Sequence, residues 1–233
     1  MNYLLAIDAG TGSIRAVLFS IQGQQVAIAQ REWTHLSEEG VEGSMGFDYT
    51  KGWELCKTCI REVMVGIDPK RVLAVSASSM REGIVVYDKN KHELWGVANV
   101  DSRAGSQVRA LRESDATMER SEYLNSGQTF ALCAIPRLLW LKENRPTMIS
   151  DWVLFKLCGE LFCEPSNAGT AGAFSLEKRT WEEARFSACG LKNMCVSVKE
   201  SGEVIGKVTQ KVSDETGLGT HTLVVMGGGD VQI

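Results

Sequence analysis

The sequence is short of the features that mark several protein classes. There are four prolines and three histidines among 233 residues. His35, His92 and His221 stand singly, and no pair has the spacing of a metal site. No apolar run approaches the roughly 20 residues that cross a bilayer. Met1-Asn2-Tyr3 lacks the basic start of a secretory signal, so a cytoplasmic protein is expected. Lys and Arg do not cluster, and the formal net charge of −4 is spread along the chain, which excludes the basic stripe of a nucleic-acid binder. There is no internal repeat, low-complexity tract or charged tail. The seven cysteines are an odd number, and several lie inside apolar runs, as reduced buried thiols do. Cys56-x-x-Cys59 admits redox or zinc chemistry, but no second C-x-x-C or C-x-x-H accompanies it. Its i, i+3 spacing also suits the apolar face of a helix.

What remains is a globular chain, 44% hydrophobic and 23% charged, whose expected partner is a small molecule. Its organising stretch is Leu4 to Ser20. Two apolar runs, Leu4–Ile7 and Ile14–Phe19, read as strands on either side of Asp8-Ala9-Gly10-Thr11-Gly12-Ser13. Gly10 and Gly12 would let the backbone turn sharply and bring N–H groups against an anion. Thr11 and Ser13 add hydroxyls and Arg15 a fixed positive charge. Asp8, leaving a buried strand at the mouth of the loop, is placed to hold magnesium through water. An ordinary hairpin turn uses the same residue types.

A third run, Gln25–Trp33, alternates as a half-buried strand does, so the chain opens with three antiparallel strands. Asp48 or Thr50 then caps a helix carrying Trp53, Cys56, Ile60 and Val63 at helical spacing. Val72–Ala77 is a fresh strand leading into Arg81-Glu82, either a surface ion pair or a pair of site residues at a strand end. Ile84–Tyr87 and Leu94–Val100 flank a hairpin turn. From Arg103 onward the pattern is helical: Ala104–Arg112, Met118–Leu124, a helix with Pro136 in its first turn, Ile149–Cys158 and Trp181–Ala188. Asp101 and Asp151 each precede or open a helix and could serve only as caps. Ser166–Thr170 reads as a small-residue turn. Finally Thr222–Met226 is a β-branched strand entering Gly227-Gly228-Gly229-Asp230, and three glycines before an acid at a strand end suggest no packing role of their own.

A phosphate hairpin, an Arg-Glu pair and a Gly-Gly-Gly-Asp turn are the parts needed for phosphoryl transfer to a hydroxyl. With these residues the chain resembles the N-terminal half of the carbohydrate kinases of the FGGY family. Asp8–Ser13 with Arg15 resembles the family's first phosphate motif, Asp230 its catalytic base, and Arg81-Glu82 the pair that grips substrate hydroxyls. Asn99–Arg103, Ile135–Trp140, Asp151-Trp152 and Ser166–Thr170 match family blocks in order. Ser79–Gly83, Ser126–Thr129, Ala134–Leu141 and Gly228–Gln232 look most like the autoinducer-2 kinases of bacteria. Leu132 stands where glycerol kinases carry a stacking tyrosine.

The resemblance implies an α/β fold of the actin-like ATPase (ribonuclease-H-like) type, a mixed sheet flanked by helices. It implies ATP and Mg2+ as cofactors. A small polyhydroxy carbonyl substrate would be bound by Arg81, Glu82, Asp101 and Asp230, with Gly10, Thr11, Gly12, Ser13 and Arg15 at the phosphates and Asp8 at the metal. The connection from Trp140 to Asp151 is shorter than usual in the family, through a deletion or through residues missing from the sequence. Residues 1–233 are expected to form a substrate-binding domain that lacks a C-terminal ATP-binding domain, leaving an exposed apolar face with a tendency to self-associate. Another sugar or polyol kinase (glycerol, xylulose) or a non-catalytic ligand-binding module are the alternatives.

Overall fold

The computed structural model describes residues 1–141, 145–193 and 195–230. In chain order the elements are β1 (Tyr3–Ala9), β2 (Ser13–Ser20), β3 (Gln25–Glu32), α1 (Tyr49–Val63), β4 (Val72–Ser79), β5 (Ile84–Tyr87), β6 (Glu93–Val97), α2 (Gly105–Ser114), α3 (Ala116–Ser126) and α4 (Ala134–Leu141). There follow β7 (Arg145–Met148), α5 (Ile149–Cys158), α6 (Pro165–Ala168), β8 (Phe174–Ser175), β9 (Thr180–Trp181), α7 (Glu183–Ala188), β10 (Val204–Lys207), α8 (Gln210–Thr216) and β11 (Leu223–Gly229).

Six strands form the main sheet in the order β10-β11-β4-β1-β2-β3. The first three run antiparallel, as expected. The chain then leaves β3 through α1 and returns as β4 alongside β1, parallel to it, and β11 later adds parallel to β4. β1 is thereby central, and three parallel strands end at one edge of the sheet. The expected hairpin of β5 and β6 is present, but its extension by β7 into a separate sheet and the β8–β9 hairpin were not expected. The segment read as a turn at Ser166–Thr170 is instead α6 followed by a 3-10 turn at Gly169–Ala171. The shortened connection after Trp140 falls partly on residues 142–144, outside the described residues.

One face of the main sheet is covered by α1 and α5. Asp48 starts α1 by accepting the Lys51 backbone N–H at 2.9 Å, a cap worth about 1 kcal/mol. The helix then lays Trp53, Cys56, Cys59, Ile60 and Val63 on Leu5, Ile7, Ile14 and Leu18, and α5 adds Trp152, Val153, Leu154 and Leu157. Each such side chain contributes about 1.5–3 kcal/mol on burial. Cys56 and Cys59 are part of this core, and burial raises both thiol pKa values. Among the described residues no group of three or more His, Cys, Asp and Glu could hold a metal ion.

The other face is open. Ala6, Val17 and Ile28 lie in register across β1, β2 and β3, and Leu4 and Ile28 are 42% and 49% exposed. Parallel strands such as β1 and β4 ordinarily have both faces covered. The apolar face expected from the sequence is therefore present. No helix among the described residues is long and apolar enough to cross a membrane.

Candidate functional site

The parallel strands β1, β4 and β11 bring their C-terminal ends to one edge, where ligands of open α/β sheets bind. Asp8 is level with Ser78 and Gly228, and Ala9 with Ser79 and Gly229. Asp8 and Asp230 thus leave the sheet two strands apart, roughly 10 Å of sheet width. Asp230 is held at the end of β11 by its backbone N–H, which donates to the Ser79 carbonyl at 2.9 Å.

The turn between β1 and β2 owes its shape to Trp33. The indole N–H of Trp33 donates to the carbonyls of Gly10 and Thr11 at 3.2 and 3.0 Å, and its backbone N–H donates to the Gly12 carbonyl at 3.1 Å. All three carbonyls face the same aromatic residue. None of the Gly10, Thr11 or Gly12 backbone N–H groups donates to a protein acceptor among the described residues. Such a row of free donors suits an anion. The chain reverses sharply here, Ala9 pairing with Ile14, although neither glycine has a positive φ. A Cβ at Gly12 would meet nothing within 4 Å and one at Gly10 only the Ser13 carbonyl at 3.6 Å. Their missing side chains leave open space beside the turn.

Asp8 is half-exposed. It accepts the Ser78 hydroxyl at 3.1 Å and lies 3.8 Å from the Arg15 guanidinium on the paired strand. A lone carboxylate is no cage for magnesium, but it fits a metal whose other ligands are waters and phosphate oxygens. Arg15 also donates to Gln30 at 3.1 Å, and the Thr11 hydroxyl to Asn99 at 3.3 Å.

On the other side of the edge, Arg81 and Glu82 lie 3.8 Å apart with side chains 26% and 11% exposed. Burial raises the Glu82 pKa, opposed by Arg81 and Arg137 and reinforced by the nearby Asp230 carboxylate. The structure therefore brings Arg81, Glu82 and Asp230 together. Glu82 sits in the left-handed region at φ 64°, a conformation costly for a side chain with a Cβ and common at functional sites. What fixes it is Arg137, which the sequence reading passed over. Arg137 is 2% exposed and donates to the carbonyl of Glu82 at 2.6 Å, of Asn99 at 2.9 Å and of Asp101 at 2.9 Å. A single Arg within the apolar run Ala134–Leu141 was the available signal.

Asp101 does not reach the site with its carboxylate. That group is fully buried, accepting Arg103 Nε at 2.8 Å and the Met45 backbone N–H at 2.6 Å. Nor does it cap α2, whose start at Ala104 has no side-chain cap. Its carboxylate oxygens are engaged within the protein, and its carbonyl accepts Arg137. The glycines before Asp230 also have a packing reason. A Cβ at Gly227 would lie 1.7 Å from the Ala77 carbonyl, and one at Gly228 would lie 3.3 Å from both Glu164 and Ser166.

The family model described as "FGGY family of carbohydrate kinases, N-terminal domain" matches residues 3–233. Over 245 aligned residues the chain is 49% identical to an autoinducer-2 kinase of Salmonella paratyphi B, covering all of this chain and 46% of that protein. The chain thus spans about half the length of the curated relatives it matches. In fold it is similar to a ligand-bound xylulose kinase from Lactobacillus acidophilus, with a TM-score of 0.88 at 20% identity over 99% of this chain and 48% of the other. A glycerol kinase with ADP from Plasmodium falciparum gives 0.87 at 17% identity over 100% of this chain and 49% of the other. The mixed sheet and its flanking helices are those of the actin-like ATPase fold. On this architecture and this match, the chain belongs to the FGGY family of carbohydrate kinases and corresponds to its N-terminal domain.

Proposed function

We propose that residues 1–233 form the acceptor-binding half of an ATP-dependent kinase. It would transfer a phosphoryl group to a hydroxyl of a small polyhydroxy carbonyl compound, the open-chain 4,5-dihydroxypentane-2,3-dione form of autoinducer-2. The observation that carries the reading is the meeting, at one sheet edge, of a donor-rich turn at Gly10–Gly12 with a carboxylate at Asp230 beside Arg81-Glu82. The substrate follows from the relatives' name at 49% identity.

Asp230 accepts the proton of the attacking hydroxyl, a role that typically contributes about 10²–10⁴-fold. Arg81 donates to the substrate's oxygens and Glu82, when ionised, accepts from its hydroxyls. The N–H row of Gly10, Thr11 and Gly12, with Ser13 and Arg15, faces the phosphates, and Asp8 shares in holding magnesium. ATP with Mg2+ supplies the phosphoryl group and neutralises its charge. The open apolar face of β1–β3 is where the rest of the protein would pack, and in its absence two copies would associate through it. Work in the cytoplasm follows from an ATP-dependent activity.

Calorimetric titration of the whole protein with dihydroxypentanedione, glycerol and xylulose, with and without ATP, tests the reading. Binding of the first alone, lost in Arg81→Ala, is expected. Binding of glycerol or xylulose in its place assigns another kinase of the family. Binding without any phosphoryl transfer reduces the chain to a ligand-binding module.

A further inference from the structure

Between α6 and the end of β11 lies a polar cluster that the reaction as described does not use. Glu164 is 5% exposed and gathers three donors on one oxygen: the Ser166 hydroxyl, the Ser166 backbone N–H at 2.8 Å and the Asn167 backbone N–H at 3.3 Å. The Ser166 hydroxyl, with its proton committed to Glu164, turns a lone pair toward β11 and accepts the Gly229 backbone N–H at 3.0 Å. One residue on, the Asp230 N–H is taken by the Ser79 carbonyl. The two amides leading into Asp230 are thus clamped from opposite sides, one by β4 and one by Ser166.

The packing is close enough to transmit position. A Cβ at Gly228 would stand 3.3 Å from both Glu164 Oε2 and Ser166 Oγ. Glu164 and Ser166 also form one wall of a cavity of about 310 Å³ that Arg81 shares. The pair therefore meets the backbone just before the base, at Gly228 and Gly229, while lining a space that Arg81 shares.

We propose that Glu164 and Ser166 are positioning residues for the catalytic carboxylate: Glu164 aims the Ser166 hydroxyl, and that hydroxyl, through the Gly229 amide, fixes the turn that presents Asp230 to the acceptor hydroxyl. The proposal rests on the reading of Asp230 as proton acceptor. It separates two properties that a purely structural serine would not separate, because the cluster orients the base without contacting the acceptor.

The test uses the whole protein as wild type, Ser166→Ala and Ser166→Thr. Ser166 is half-buried on a cavity wall, so its truncation leaves the core intact. Misplacement of a reacting group by about 1 Å costs on the order of 10²-fold. In Ser166→Ala kcat should fall by roughly ten- to a hundredfold with the acceptor KM within about twofold, and Ser166→Thr, which keeps the hydroxyl, should regain most of the loss. Amide exchange adds a readout free of turnover: the Gly229 N–H should exchange at least about tenfold faster in Ser166→Ala, while amides in α1 keep their protection. Unchanged kcat in Ser166→Ala, or unchanged exchange at Gly229, overturns the proposal. If the wild type phosphorylates no hydroxyl compound, the kinase reading fails by itself, and exchange at Gly229 and Asp230 still decides whether Ser166 holds the turn.

Discussion

Arg137 is the most heavily engaged buried cation in the site, and its replacement by Lys makes a quantitative test of how the pocket is held. The guanidinium serves three carbonyls, those of Glu82, Asn99 and Asp101, from two of its edges. A lysine ammonium is a single point with a shorter reach and can serve about one of them. Each carbonyl left without its donor costs about 1–3 kcal/mol. Two lost partners therefore come to about 4 kcal/mol, and the buried lysine charge brings no relief of desolvation. Such a loss is smaller than the roughly 5–15 kcal/mol stability typical of a domain, so Arg137→Lys should fold. Urea denaturation should show the midpoint shifted down with the slope unchanged. Calorimetry should show acceptor affinity lowered about tenfold, since Glu82 loses the bond that keeps it in the left-handed region; ATP affinity should change less. A loss below about 0.5 kcal/mol with unchanged acceptor affinity would refute the claim that Arg137 ties these loops together.

Glu82→Gly removes both a Cβ at φ 64° and a buried carboxylate, so thermal denaturation should show a gain of about 1 kcal/mol while acceptor binding is lost. In the wild type, acceptor affinity should weaken on acidification at a pH above the ordinary Glu range, because the raised Glu82 pKa means protonation, and loss of the acceptor, comes early; titration against pH checks this. Asp151 is fully buried and burial lifts its carboxyl well above the usual range. The native state then keeps a proton that the unfolded chain has released, so stability falls as pH rises between the unfolded and native values, by up to about 1.4 kcal/mol per pH unit. Asp151→Asn should flatten that slope in denaturation curves taken from pH 4 to 8. Trp33→Phe deletes the indole donor to Gly10 and Thr11; it should cost about 1–3 kcal/mol and raise the KM for ATP with little effect on that for the acceptor.

Much of this fold was readable because its signals are local. Apolar runs and turn residues located β1 and β2, alternation located β3, and the helical recurrence of Trp53, Cys56, Ile60 and Val63 located α1. The return of β4 beside β1 rather than beside β3 was not readable, since strand partners depend on crossovers that leave no local mark. The short β8–β9 hairpin escaped because two-residue strands carry no period.

In the site, Asp8, Arg81, Glu82 and Asp230 stood out as charged residues at strand ends next to glycine. Asp101 entered through the Asn99–Arg103 block of the family resemblance, yet its carboxylate is consumed by Arg103 and Met45, which only three-dimensional proximity reveals. Trp33, Arg137, Glu164 and Ser166 act on the site through backbone carbonyls and amides. Every residue has those groups, so no pattern of side chains announces which of them will be held.

The central claim is that Asp230 takes the proton of the acceptor hydroxyl. The most direct measurement is turnover and acceptor binding of Asp230→Asn in the whole protein, by steady-state phosphorylation of dihydroxypentanedione and by calorimetry. Loss of at least about 10²-fold in kcat, with acceptor affinity kept within a few fold, is the predicted result. Turnover near that of the wild type would contradict the account.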